Sequence, residues 1–312
     1  MRYIFSAAAV TVVVLLCAVA NVAAQIRPSR TWESTPQRGL RSGVMTSLVG
    51  GGEFQRSYGS AFDEQAWQFR THVQAEPYRF SDTGRSVVWT TTIEAHQEMT
   101  ANPYNDISFN PRTMRWEEFF WLHMITEGFA ARVGFVHRCK HDIDNLSGAD
   151  EGNPISPLQA EQRTLILTGP TIAASVPTLS TRLGTITASA GAEWFLNSSD
   201  TRRGGTDVGS WGHMKGAAWM RAQCITRISR DVAVLTSAFA SVPLFESRQG
   251  ASPDVPYEAR GELALSLTGA TARVDIALVA ERSFDEPALT FPVASSYVGL
   301  CVRFMPQMST TE

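Results

Sequence analysis

The feature that most restricts this chain is a rhythm of two. Over residues 43–304 apolar side chains return at every second position in a series of separate runs. On an extended strand alternate side chains share a face. "WQFRTHVQA" therefore sets Trp67, Phe69, Thr71, Val73 and Ala75 against Arg70, His72 and Gln74. "SVVWTTTIEAHQEM" sets Val87, Trp89, Thr91, Ile93 and Ala95 against Thr90, Thr92, Glu94, His96 and Glu98. Near the C-terminus Tyr257, Ala259, Leu263, Leu265 and Leu267 oppose Glu258, Arg260 and Glu262. Ala272, Val274, Ile276, Leu278 and Ala280 oppose Arg273, Asp275 and Glu281.

A soluble sandwich alternates too, with the apolar face inward. Three observations favour a barrel with that face outward. The runs reach about ten residues, enough for a tilted strand to cross a bilayer. Trp67, Trp89, Trp116, Tyr257 and Phe304 lie near run ends, where an interfacial girdle belongs. The polar faces carry charges of both signs, as a hydrated, cross-paired lumen would.

The connections point the same way. Strands are predicted near 43–51, 67–75, 86–99, 113–124, 128–140, 163–175, 183–196, 216–229, 232–242, 257–268, 272–282 and 295–304. Short links such as "TEG", "RD" and "GAT" alternate with long ones such as "DIDNLSGADEGNPISPLQAEQ" and "NSSDTRRGGTDVGSWGHM". Short turns at one end and long loops at the other is the outer-membrane arrangement, and it calls for an even strand number. The expected fold is all-β: a transmembrane, antiparallel, up-and-down barrel of about twelve strands.

Composition adds bounds. Charged residues are 18 % of the 312, below the roughly 25 % of ordinary soluble domains. A net charge of −3 suggests no nucleic-acid partner. Arg2, the apolar run "IFSAAAVTVVVLLCAVA" and small residues at Val22 and Ala24 have the order of an export signal, with a retained anchor as the alternative. The expected domains are a cleaved signal over 1–24, a periplasmic lead-in over 25–42, the barrel over 43–304 and a tail over 305–312. Cys139, Cys224 and Cys301 remain after cleavage, too few and too scattered for a disulfide framework. The last strand, "SSYVGLCVRF", turns Val298, Leu300, Val302 and Phe304 to one face. It resembles the C-terminal signal read by barrel-assembly machinery, although "MPQMSTTE" follows it.

One run ends unusually. In "GFAARVGFVHRCKHDIDN" the parity of Phe129, Ala131, Val133 and Phe135 carries His137, Cys139 and His141 to the lipid side, and Arg132, Arg138 and Lys140 to the lumen. "HRCKHDIDN" is similar to the His-x-Ser-Ser-His-x-x-Asp-Glu signature of an uncharacterised family of predicted outer-membrane barrels. His137, His141 and Asp144 match; Cys139 replaces the first serine and Asn145 the final glutamate. The resemblance implies a fold and a location, without an activity.

His137 and Cys139 also resemble the His-x-Ser pair of outer-membrane phospholipase A and the lipid A deacylase, with a thiol in place of the serine. That likeness implies a lipid ester hydrolase in which Glu161, in phase with Leu165 and Leu167, orients His137. The phospholipase's Asn-Gly after the serine is absent; Lys140 and His141 stand there. A divalent metal held by His137, Cys139 and His141 with Asp142 or Asp144 is a further option, though three same-face residues span about 13 Å. The plainer alternative is a charged rim in which Arg138, Lys140, Asp142 and Asp144 pair with each other or with lipopolysaccharide phosphates.

Inside, Arg70, His72, Glu94, His96, Glu98, Arg260, Glu262, Arg273 and Asp275 form the expected lumen network, joined by Arg115, Glu117, His123, Arg221, Arg227, Glu258 and Glu281. Mixed charge at this density predicts a largely plugged interior. The leading expectation is thus a barrel with a structural or narrow-channel role, no cofactor, and outer-membrane lipid or lipopolysaccharide as partner. The alternative is the hydrolase.

Overall fold

The structure is a computed structural model, and it describes residues 42–59, 66–82, 87–103, 108–142, 163–181, 184–202, 214–246, 257–283 and 295–306. The strands are β1 (Gly43–Tyr58), β2 (Trp67–Asp82), β3 (Val87–Asn102), β4 (Asn110–Ile125), β5 (Ala130–Asp142), β6 (Arg163–Thr181) and β7 (Gly184–Trp194). They continue with β8 (Asn197–Arg202), β9 (Met214–Arg227), β10 (Val232–Phe245), β11 (Glu258–Thr268), β12 (Ala272–Ser283) and β13 (Ser295–Pro306).

All neighbours are antiparallel, and the sheet closes where β1 meets β13 and β5 meets β6. The ring has twelve places, because β7 and β8 share one. β7 pairs with the second half of β6 and β8 with the first half. A bulge at Phe195 and Leu196 joins them: Phe195 N donates to Lys215 O (2.8 Å) and Leu196 N to Thr168 O (2.9 Å). A closed ring lets its strands satisfy their backbones within the protein; among the described residues β8 alone is paired on one side, to β6.

The connections sort by length. Residues 83–86, 126–129, 182–183, 228–231 and 269–271 link strands at one end, where β1 also starts and β13 finishes. Residues 59–66, 103–109, 143–162, 203–213, 246–257 and 284–294 link them at the other. Pro77 sits at a register shift between β2 and its neighbours, and Pro177 at one between β6 and β7. Proline cannot donate to a ladder, so it belongs at such bulges.

The wall is inverted relative to a soluble protein. Ile276, Leu278, Leu300, Val302, Leu263, Val133 and Phe135 are exposed on the outside, Leu278 by 64 %. Between them Asp275, Arg303, Glu262 and Arg138 are buried inside. An aliphatic belt of this extent is untenable in water and is what hydrocarbon requires. Aromatic residues flank it at both ends. Tyr58 and Trp194 lie outward near the long connections, and Phe80, Trp89, Phe129 and Phe304 near the short ones. This is an integral membrane β-barrel of the outer-membrane type.

Candidate functional sites in the lumen and on the outer wall

The interior divides into two halves. Across β1–β3 and β11–β13 it is ionic, and Glu53 is its hub. Glu53 accepts from Arg70, from Arg260 Nη2 (2.9 Å) and from Arg303 Nη2 (2.8 Å). Arg260 and Glu53 lie three strands apart around the ring, so this bond is a chord that bridges the curved wall. Each arginine has a second acid. Arg70 Nε reaches Glu98 (2.5 Å), Arg260 Nε reaches Glu262 (2.5 Å), and Arg303 Nη1 reaches Asp275 (3.3 Å). Arg273 grips Asp275 with two bonds of 2.8 Å. Buried charges persist only when paired in this way.

The other half is aromatic and aliphatic. Phe119, Trp121, Val136, Leu165, Leu167, Phe195, Met214, Trp219 and Phe239 cluster there. A second ionic group is set among them: Arg138 bonds Glu117 (3.0 Å) and Glu193 (2.6 Å). Arg132 lies over the Trp121 ring at 4.2 Å. The tryptophans lie over glycines. A Cβ on Gly134 would stand 2.8 Å from Trp121 Cε3, and one on Gly191 would stand 2.5 Å from Trp219 Cζ2.

His72 and His96 meet at the border of the halves, stacked with ring centroids 4.9 Å apart. His96 Nε2 is 3.5 Å from Glu94, and Glu94 is 3.7 Å from Arg132. His123 shares a 2.8 Å hydrogen bond with Thr92. Arg70, His72, Glu94, His96, Glu98, Arg260, Glu262, Arg273 and Asp275, the residues set on the polar faces by the alternation, lie on the inner side of the wall. It missed Glu53, Arg303 and Glu193, which connect them.

On the outer wall His137, Cys139 and His141 do share the lipid-facing side of β5, all half-buried. They do not converge. His137 Nδ1 is hydrogen-bonded to Thr168 Oγ1 (2.8 Å) and His141 Nδ1 to Thr164 Oγ1 (3.2 Å), both sideways onto β6. His141 also meets the Trp116 ring edge-on at 5.6 Å. Among the described residues no hydrogen bond joins Cys139 to His137, and no three His, Cys, Asp or Glu side chains form a metal-binding group. A same-face neighbour on one strand is about 7 Å away, so a lateral lean of His137 takes it from the thiol. Across β4 the residue opposite His137 is Glu118, an exposed carboxylate that spacing along β5 alone cannot bring to notice. Glu161 and Asp144 lie outside the described residues; Leu165 and Leu167, with which Glu161 was phased, point inward, away from His137.

Arg138 lies in the lumen, the side its parity on β5 assigns to it, and so takes no part in a charged rim: it is 2 % exposed and bonded inside to Glu117 and Glu193. An odd parity step from His137 puts it in the lumen, where the two carboxylates compensate its buried charge. Asp142 pairs with Thr113 at the top of β5. Cys139, Cys224 and Cys301 are free.

No protein-family model matches the chain, and no curated protein matches it in sequence. Solved structures similar to it include an outer-membrane channel from Pseudomonas putida F1 at 8 % identity, covering 90 % of this chain and 99 % of that one, with TM-score 0.45. The transport unit of the autotransporter AIDA-I from Escherichia coli is 11 % identical over 84 % and 89 %, with TM-score 0.41. The translocator domain of the autotransporter NalP from Neisseria meningitidis is 10 % identical over 97 % of both chains, with TM-score 0.40.

Proposed function

We propose that this chain is a non-enzymatic wall protein of the outer membrane, a barrel whose lumen is narrowed by crossing ion pairs to a structural or slow-conducting path. The supporting observation is the Glu53 hub, which ties β1, β2, β11 and β13 together through the interior. A wide aqueous pore keeps its charges at the wall; here they reach across to one another. On this reading the N-terminal 24 residues direct export and are removed, residues 25–42 lead into the barrel, and assembly machinery reads the final strand. Membrane lipid then surrounds the belt. The likeness to the His-x-Ser-Ser-His-x-x-Asp-Glu barrels rests on His137, His141 and Asp144, and it brings no activity with it.

Planar-bilayer recording tests the proposal. The refolded wild type should conduct weakly or not at all, and the double variant Glu53→Ala, Arg303→Ala should conduct more. A large steady conductance in the wild type would overturn it. Fatty-acid release from phospholipid or lipopolysaccharide should stay at background for wild type and Cys139→Ala alike; release lost in the variant would restore the hydrolase.

A further inference from the structure

The lipid-facing wall changes texture sharply near the long-connection end of β10–β13. Register defines three successive rows across the sheet. The lowest runs Arg56, Leu300, Leu278, Leu263, with the leucines 49 %, 64 % and 52 % exposed. The next is Tyr58, Val298, Ala280, Gly261, Ala238. The one above is Ser296, Arg282, Ala259, Ala240. Large side chains give way to alanine and glycine, so the wall steps inward just above the leucines. The step is a groove of about 610 Å³. Tyr58 and Tyr257 stand at its sides, and a Cβ on Gly261 would meet nothing within 4 Å.

Cations border this groove on both flanks. Arg282 lines it, with its guanidinium 4.1 Å from the Tyr257 ring centroid. Arg56 lies outward on β1, 5.2 Å from the Tyr58 ring and 4.4 Å from that of Trp67. An aromatic face holds a guanidinium in place, and the guanidinium's planar fork matches the geometry of phosphate oxygens.

We propose that this groove binds a phosphorylated, multiply acylated glycolipid of the outer leaflet, of the lipid A type. The acyl chains lie over Leu300, Leu278 and Leu263. The sugar fills the step between the two tyrosines, and a phosphate sits on Arg282. Three observations select this occupant: the groove is lined by Ala238, Gly261, Ala280 and Val298 on the outward face of the wall, it lies at the end carrying the long connections, and its flanks are cationic. The inference deepens the proposed function, since it rests on the barrel lying in an outer membrane with that end outward. It concerns a different face from His137 and Cys139.

The test is lipid retention, measured by native mass spectrometry on full-length barrel refolded in detergent. The probes are diphosphoryl lipid A, the same lipid without phosphates, and phosphatidylglycerol. Wild type should retain one diphosphoryl lipid A and hold the other two at least about tenfold less well, a step of 1.4 kcal/mol. Arg282→Gln should lose about tenfold for the diphosphoryl lipid and little for the dephosphorylated one. Filling the groove with Gly261→Leu and Ala280→Leu should abolish retention of both. Heat-dependent migration on gels establishes that each variant is folded; if the double variant fails that check, Arg282→Gln decides alone. Equal retention by wild type and Arg282→Gln would overturn the proposal, as would preference for phosphatidylglycerol. A wild-type dimer that the filled groove makes monomeric would overturn it too, assigning the groove to a second copy of the chain. Conductance on the same preparations separates the two ideas: the groove variants leave the lumen network intact, so a change in lipid retention without one in conductance bears on the groove alone.

Discussion

Glu53 has a side chain with no exposure and three arginines around it, which makes it the residue whose loss should matter most. Removing one partner of a buried ion pair costs about 3–5 kcal/mol, because the remaining charges stay buried without compensation. Glu53→Ala should therefore lower the unfolding free energy in urea by about that amount. Glu98→Ala should cost clearly less, since its side chain is 13 % exposed and it meets Arg70 at the edge of the network. Equal losses would mean that the network has no centre. Alternation alone gave Arg70, Arg260, Glu262 and Asp275 an inward side. Glu53 escaped because it follows Gly50, Gly51 and Gly52, which have no side chains to carry the phase. Arg303 is hidden differently: the signal of its strand is the apolar face of Val302 and Phe304, and the opposite face offers one charge between Gly299, Cys301 and Met305. At His137 the parity was legible, but the sideways bond to Thr168 was not, because sequence spacing along one strand is silent about the neighbouring strand.

At the scale of elements, each of the twelve expected strands is present, and most run longer than the alternation suggested. The prolines explain several shortfalls. The alternation of β2 ends at Ala75 because Pro77 shifts the phase: Gln74 and Glu76 face in, and the next inward residue is Arg79. β6 was cut at Ser175 ahead of Pro177 for the same reason. The strand expected over 183–196 stops at the bulge of Phe195 and Leu196, whereas in the barrel β8 carries on beyond it beside β6. A bulge preserves the strand while reversing the parity by which a strand is recognised. The tryptophan-over-glycine contacts give an element-level prediction. A Cβ on Gly191 would meet Trp219 and the Ile172 carbonyl at 2.5 and 2.7 Å, and one on Gly134 would meet Trp121 and the Phe120 carbonyl. Gly191→Ala and Gly134→Ala should each destabilise by about 1–3 kcal/mol, the usual cost of overfilling a packed interior. Gly261→Ala, facing open space, should be close to neutral. Chemical denaturation of the three variants checks the contrast, and a neutral Gly191→Ala would mean that the tryptophans are free to move aside.

For the molecule as a whole the decisive property is which side is greasy, and tryptophan can report it without altering the sequence chemistry by much. Trp89 and Trp194 are 41 % and 59 % exposed on the outer wall, near opposite ends of the belt; Trp121 and Trp219 are 2 % and 7 % exposed within. Bromine on a lipid chain quenches indole fluorescence only on contact. Four single-tryptophan variants, with phenylalanine at the remaining positions, can be refolded into vesicles whose lipids carry bromine at known depth. Trp89 and Trp194 should be quenched, each most strongly by bromines near the headgroups, as an interfacial girdle requires. Trp121 and Trp219 should be spared, because a wall of paired strands separates them from lipid. If the inner pair were quenched as strongly as the outer, the apolar face would be turned the wrong way, and with it would go the ionic lumen and the lipid-bearing groove. The same series in micelles of a brominated detergent checks closure without a bilayer: quenching of Trp121 there would point to an unclosed ring, in which β1 and β13 had failed to meet.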